Sequence, residues 1–399
     1  MADNPVPQLG DKTPLEYANI PTLDMLASKG ELGTALTVPE GMSAGSDTAI
    51  LSIFGCDPTK YLAGRAALEA AALGIELMPG DVAYRCNMVT FEDVDIALEE
   101  KKMISHSAGS IEGDLADALI EELFKYPDFM QAASKAGMII YPGSSFRHVA
   151  VQKDFDISGI KFSPPHDNLG KALGPILPCC SDNAQVLKEL IKLAYEFLDK
   201  HPINTQRRAE GKLPANGIWF WAEGETKPLP NFTERYGKTG GMISAVPLCQ
   251  GIGVLMGLEK IIVEGATGEL HTNYEGKVAA TLEVLKHNDF ATVHIEAPDE
   301  CTHNGDTKGK IQAIEWIDSR VVAPLLRAME KSGEDFRMII ISDHKTLTST
   351  RGHDGSPVPY IIYDSRIDNE SGLKYCEKDA ESVKKLLPGT DLMNLLFSK

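Results

Sequence analysis

A chain of 399 residues is too long for one ordinary hydrophobic core, and its 43% apolar and 24% charged residues suit a soluble, enzyme-sized globular protein, so two domains are expected. The net charge of −18 argues against a nucleic-acid partner and obliges any anionic substrate to be met by a local cluster of Arg, Lys or metal. Seven scattered cysteines without a CxxC pair speak for reduced thiols rather than a disulfide framework or zinc ribbon, and no apolar run nears the ~18 residues of a membrane span.

Met1–Pro7 has neither the basic region nor the apolar core of a signal peptide, so a cytoplasmic location is expected. Thr13-Pro14-Leu15-Glu16 reads as an N-cap, a Pro at the first helical position and an early acid, opening a helix that runs past Leu26 to Gly30 or Gly33. Gly41 to Ser46 is a small, Gly/Ser-rich turn before the helical run Thr48 to Phe54, and Asp81 to Phe91 reads as a strand. From about residue 92 to 240 charged helices alternate with short strands: helix Glu112 to Phe129, strands Gly137 to Tyr141 and Arg147 to Gln152, helix Asn183 to His201. Beyond Gly240 the pattern is strongly α/β. Helices Val246 to Gly257, Tyr274 to His287 and Lys308 to Lys331 lead to strands Lys260 to Val263, Ala291 to Glu296 and Arg337 to Ser342, and strand Tyr360 to Tyr363 follows. Such alternation implies a mostly parallel sheet, whose functional groups gather at the strand carboxyl ends.

Asp299, Asp343 and His344 fall just beyond such ends, with His303 and His353 close by in sequence. Imidazole with carboxylate suits Zn²⁺ or Mn²⁺, and carboxylate-rich variants suit Mg²⁺. An isolated Asp-His pair is most simply a surface loop. Three ligand-type groups at strand ends point instead to metal, and the five ligand-type groups together are too many for one four-coordinate ion, so two ions are expected. The spacing of four sets Asp299 and His303 on one face of a helix.

Ser46 opens a helix after a tight Gly turn, where unpaired N–H groups and the positive helix end stabilise an alkoxide or a phosphate oxygen. The plain alternative is an N-cap. Beside two metals Ser46 becomes a candidate nucleophile. Arg65, Arg85, Arg147 with His148, Arg235 and Lys277 are candidate anion contacts, and His166-Asp167 is either a polar anchor or a loop stiffener. A P-loop, a GxGxxG after a strand and a GxSxG elbow are all missing, so no nucleotide is expected.

The segments GSDTAILSIFGCDP (45–58), GRAALEAAALGIEL (64–77), YRCNMVTF (84–91), GATGELHTNYEGK (265–277), EAPDECTHNGD (296–306), SDH (342–344) and GHDGSPVPYIIY (352–363) resemble the archaeal-type cofactor-independent phosphoglycerate mutases of the alkaline phosphatase superfamily. HSAGSIEGD (106–114), SPPHD (163–167) and PANGIWFWAEG (214–224) resemble the bacterial branch labelled "proposed homoserine kinase".

The resemblance implies a metal-binding, phosphatase-like core of residues 1–80 and 241–399, with a mostly parallel sheet flanked by helices and a smaller α+β substrate-closing domain, 81–240, inserted. It implies that Ser46 takes the phosphoryl group of 3-phosphoglycerate and returns it to the 2-oxygen of glycerate. Asp299, His303 and His353 would hold one divalent ion (Mn, Zn or Mg), and Asp343, His344 and Ser46 the other, with no 2,3-bisphosphoglycerate. Lys277 would neutralise phosphate. Arg65, Arg85, Arg147, His148 and His166 would contact the small phosphorylated carboxylic acid. Family members begin with a strand ending in Gly-Asp-Gly-Met-Ala-Asp, whose first Asp is a metal ligand. Met1-Ala2-Asp3 matches the tail of that motif, so the expectation is a strand upstream of Met1. Ser107–Ser110 and Trp221–Gly224 stand where the family tends to carry arginine. That keeps open a phosphotransferase or phosphatase on another metabolite of the homoserine-phosphate type, while the motif's first Asp, not matched in Met1-Ala2-Asp3, keeps open an impaired metabolite-binding relative.

Overall fold

A computed structural model describes residues 1–62, 64–367 and 369–398 and, among these, every side chain but that of Ser144. In chain order the strands are β1 (Glu31–Leu36), β2 (Val82–Phe91), β3 (Met103–Ser105), β4 (Met138–Ser144), β5 (Arg147–Gln152), β6 (Gly217–Glu225) and β7 (Gly240–Ile243). They continue with β8 (Glu259–Ile261), β9 (Phe290–Val293), β10 (Arg337–Ile341), β11 (Lys345–Leu347), β12 (Gly352–Asp354), β13 (Val358–Asp364) and β14 (Leu386–Pro388). The chain divides into two compact units, one of Met1–Leu62 with Pro228–Lys399 and one of residues 63–227.

In the first unit, β10-β13-β1-β14 form one sheet and β8-β7-β9 another. The pairs β1–β14, β7–β8 and β7–β9 are parallel, while β13 runs antiparallel to both β1 and β10. Helices cover these strands. Pro21–Lys29, with Leu23, Leu26 and Ala27 buried, packs with Ile314, Val321 and Leu326 of the long helical segment from Thr307 to Ser332. That segment widens into a π turn over Ile317–Val322, immediately before Pro324, whose missing N–H removes one helical hydrogen bond. The buried Asp318 in this turn accepts from Leu23 N at 2.7 Å, and so caps a helix whose own N-cap, Ile20, offers no side-chain bond.

In the second unit β2 is central. β5 and then β4 flank it, β3 pairs with its far end and β6 lies along it, all antiparallel. Helices Gly113–Leu123, Pro127–Lys135 and Ala184–Leu198 bury Leu119, Phe129 and Leu190 in the main core of this unit. Helix Arg65–Ala72 sets Ala66 and Ala70 against Ala83, Val149 and Val151.

Several expectations are corrected. Prolines split two of the expected helices, the first into Pro14–Tyr17 and Pro21–Lys29, the second at Pro127, because Pro starts a helix well and cannot continue one. Glu31–Leu36 is a strand of the first sheet, not a helix end. The divisions expected at 80/81 and 240/241 fall at 62/63 and 227/228. The alanine helix just described packs on the second unit's sheet, and Phe232 lies 5.2 Å from the Phe290 ring and 6.2 Å from that of Phe54, inside the first unit.

Candidate active site

Ser46 is the first residue of helix Ser46–Ile53, and Gly45 is the N-cap. The serine makes no capping bond. Its Oγ instead donates to Asp343 Oδ2 at 2.7 Å and stands 3.3 Å from His344 Nε2. A hydroxyl at a helix start, aimed at a carboxylate and an imidazole, is placed as a nucleophile is placed. Asp343 and His344 follow β10 after Ser342, and Thr37 Oγ1 donates to the Asp343 carbonyl at 2.5 Å. Burial alone would raise the Asp343 carboxyl, but His344, His294 and the Ser46 hydroxyl together hold it below the usual carboxylate range.

Beside this pair lies a second group. Asp299 and His303 sit one turn apart on helix Ala297–His303, with His303 Nε2 at 3.0 Å from Asp299 Oδ2. The β11–β12 hairpin opposes Thr346 to His353. Thr346 Oγ1 donates to Asp299 Oδ1 at 2.5 Å, and His353 Nε2 lies 3.2 Å from the same oxygen. His303 Nε2 and His353 Nε2 are 2.9 Å apart, and donor atoms of Asp299, His344 and His353 all lie within 4.8 Å of one another. His344 thus lies beside the Asp299 group as well as beside Asp343. Two facing imidazole nitrogens and a carboxylate around one small volume fit a divalent cation of the Mn²⁺ or Zn²⁺ kind.

Lys277 is 1% exposed and donates to His294 O at 3.0 Å. His294 follows β9, and its ring lies 3.1 Å from Ser244 Oγ, 3.6 Å from Cys249 Sγ and 3.1 Å from Glu296 Oε2. Burial opposes a charge on His294, but Cys249 and Glu296 outweigh it and raise its pKa. The sequence does not single out His294 or its partners, because the expected strand Ala291 to Glu296 places His294 inside the strand, whereas β9 ends at Val293. Burial pushes the Lys277 ammonium down to about 8, against the pull of Glu296 and Cys249. If its charge is used, turnover falls as pH rises through about 8, and Lys277→Arg moves that limb beyond the accessible range. A pH profile of kcat/KM identical in the two proteins would remove Lys277 from the mechanism.

Of the remaining candidates, Arg235 lies in the first unit, 5.4 Å from the Tyr236 ring, and the others lie in the second. Arg85 is committed to Glu69, with Nε 3.0 Å from both carboxylate oxygens, and stacks on Trp221 at 4.9 Å. His148 is 1% exposed, accepts from Gly143 N through Nδ1 and leaves Nε2 without a partner, so it is a core histidine rather than a substrate contact. Arg65 and Arg147 are exposed, the latter 4.3 Å over the Phe146 ring. His166 lies 6.2 Å from His106 and 5.2 Å from Trp221, ring to ring. Burial first, and then the neighbouring His166 and Arg147, lower the His106 pKa.

The fold compares with a solved protein of Pyrococcus horikoshii at TM-score 0.82 and 30% identity, over 99% of this chain and 93% of that one. Residues 27–204 match the family model described as 2,3-bisphosphoglycerate-independent phosphoglycerate mutase. Relatives bearing that name from Methanosarcina barkeri and Methanothrix thermoacetophila are each 42% identical. The first match covers 99% of this chain and 96% of the relative, the second 100% and 97%. The architecture is thus that of a phosphoglycerate-mutase-like α/β enzyme. The chain belongs to the family of 2,3-bisphosphoglycerate-independent phosphoglycerate mutases.

Proposed function

We propose that this enzyme interconverts 3-phosphoglycerate and 2-phosphoglycerate through a phosphoserine on Ser46. The observation that carries the reading is the placement of Ser46 Oγ at a helix start, 2.7 Å from Asp343 and 3.3 Å from His344. Asp343 orients the hydroxyl and draws its proton, and the helix N–H groups receive charge from the incoming phosphoryl oxygens. Lys277, charged below about pH 8, adds a buried cation to the same unit. Asp299, His303 and His353 would hold one divalent ion and Asp343, His344 and Ser46 a second, which when bound neutralise phosphoryl charge and lower the serine pKa. In the second unit the His166–Arg147 neighbourhood, joined by His106, is our assignment for recognition of the carboxylate.

The test is turnover of 3-phosphoglycerate by the full chain with Mn²⁺, read through added enolase. The expected result is 2-phosphoglycerate formation that stops with chelator and returns with Mn²⁺. Release of free phosphate without 2-phosphoglycerate would overturn the mutase reading in favour of a phosphatase. Metal binding has its own readout. Mn²⁺ at 100 times its Kd stabilises the fold by ~2.7 kcal/mol for each site filled, seen as a rise in thermal midpoint, and Asp299→Ala lowers that rise by the share of the site it lines. An Asp299→Ala protein that still shifts with Mn²⁺ as the parent does would exclude this carboxylate as a ligand.

A further inference from the structure

Outside this site, the seven cysteines divide sharply by access. Cys56, Cys86, Cys249, Cys301 and Cys376 are buried, whereas the adjacent pair Cys179 and Cys180 is half-buried and exposed. The two sulfurs of this pair lie 2.9 Å apart. The backbone holds them there. Cys179 exchanges both hydrogen bonds with Lys161, N to O at 3.2 Å and O from N at 2.9 Å, while Cys180 sits at φ +77°, a left-handed conformation that residues with a Cβ rarely adopt.

The sulfur separation decides which chemistry the pair suits. Two thiolates on a tetrahedral Zn²⁺ at about 2.3 Å each stand ~3.8 Å apart, well beyond the 2.9 Å seen here. A disulfide needs about 2.05 Å, a closure of under ~1 Å. From this geometry we infer that Cys179 and Cys180 form a reversible two-electron oxidation site for a peroxide, closing to a disulfide between neighbouring residues. One thiolate attacks a peroxide oxygen, giving a sulfenic acid and releasing water. The second sulfur displaces that hydroxyl as a second water, so two thiols and one H₂O₂ yield one disulfide and two H₂O. The hydrogen bond shared with Cys180 raises the Cys179 thiol, with Lys161 and Lys188 pulling the other way, so it is the closeness of the two sulfurs that favours the closure. Adjacent Cα atoms are about 3.8 Å apart, below the ~4.4–6.8 Å of relaxed disulfides. The bond is therefore strained and readily reduced, as labile disulfides are.

The full chain treated with one equivalent of hydrogen peroxide should lose the mass of two hydrogens and lose iodoacetamide labelling at both positions. Dithiothreitol should restore both. Cys179→Ser and Cys180→Ser should instead each gain one oxygen on the remaining sulfur. Wild-type protein that keeps two labelled thiols, gains oxygens without closing, or pairs between chains overturns the inference. The wild-type mass alone decides it should either variant fold poorly.

Discussion

Replacing Ser46 with alanine lowers phosphoglycerate turnover by about 10⁴-fold or more, the scale on which removal of a nucleophile is felt, and leaves the fold intact. The two halves of this expectation rest on separate observations. The serine gives no capping bond, since Gly45 is the N-cap, and alanine is the better helix former, so stability has nothing to lose at that position. What disappears is the hydroxyl that Asp343 and His344 hold between them. A 10⁴-fold loss corresponds to about 5.5 kcal/mol of transition-state stabilisation, more than any single hydrogen bond supplies, so it separates a nucleophile from a positioning contact. The checks are enolase-coupled turnover and the thermal midpoint. Retention of more than about a hundredth of the activity, too much for a lost nucleophile, would place the phosphoryl acceptor elsewhere.

Why Ser46 could be picked out from sequence, and Lys277's partners could not, follows from what each group depends on. Asp299, His303, Asp343 and His344 carry chemistry by residue type, and they sit at strand ends or one helical turn apart, positions that hydrophobic patterning marks directly. The contacts of His294 with Ser244 and Cys249 span 50 and 45 residues, and only pairing of β7 with β9 brings them together. β1 was hidden for a related reason. Its Gly33 fits because the Tyr360 ring of β13 occupies the space of a side chain, a partner that local propensity cannot see. His148 was legible and misassigned. Arg147 is exposed at the start of β5, and strand alternation then turns His148 inward, opposite Cys86.

Asp3→Ala should destabilise the protein by about 3–5 kcal/mol, the cost of leaving a buried charge without its partner. The structure gives Asp3 a supporting task. Its Oδ2 lies 2.6 Å from Lys310 Nζ, with both side chains at most 2% exposed, and it accepts from Thr348 N and Oγ1. Lys310 also donates to Thr346 O, and the Thr346 hydroxyl holds Asp299. The pair thus fixes the strand on which the Asp299 carboxylate leans. Burial lowers the Lys310 pKa, and Asp3 is the largest influence opposing it. Without Asp3 the folded state binds this proton more weakly than the unfolded chain does. Stability must therefore rise with pH up to the unfolded lysine value near ~10.4, so the deficit is largest at neutral pH and below. Urea unfolding of the two proteins at pH 7 and pH 9.5 measures it. Adding Lys310→Met to Asp3→Ala should recover most of the loss, since an apolar pair can replace a buried ion pair at little cost. An Asp3→Ala protein within about 1 kcal/mol of the parent at pH 7, the worth of an exposed salt bridge, would show that water reaches Lys310, and the support of Asp299 through Thr346 would then have to come from the β11–β12 hairpin alone.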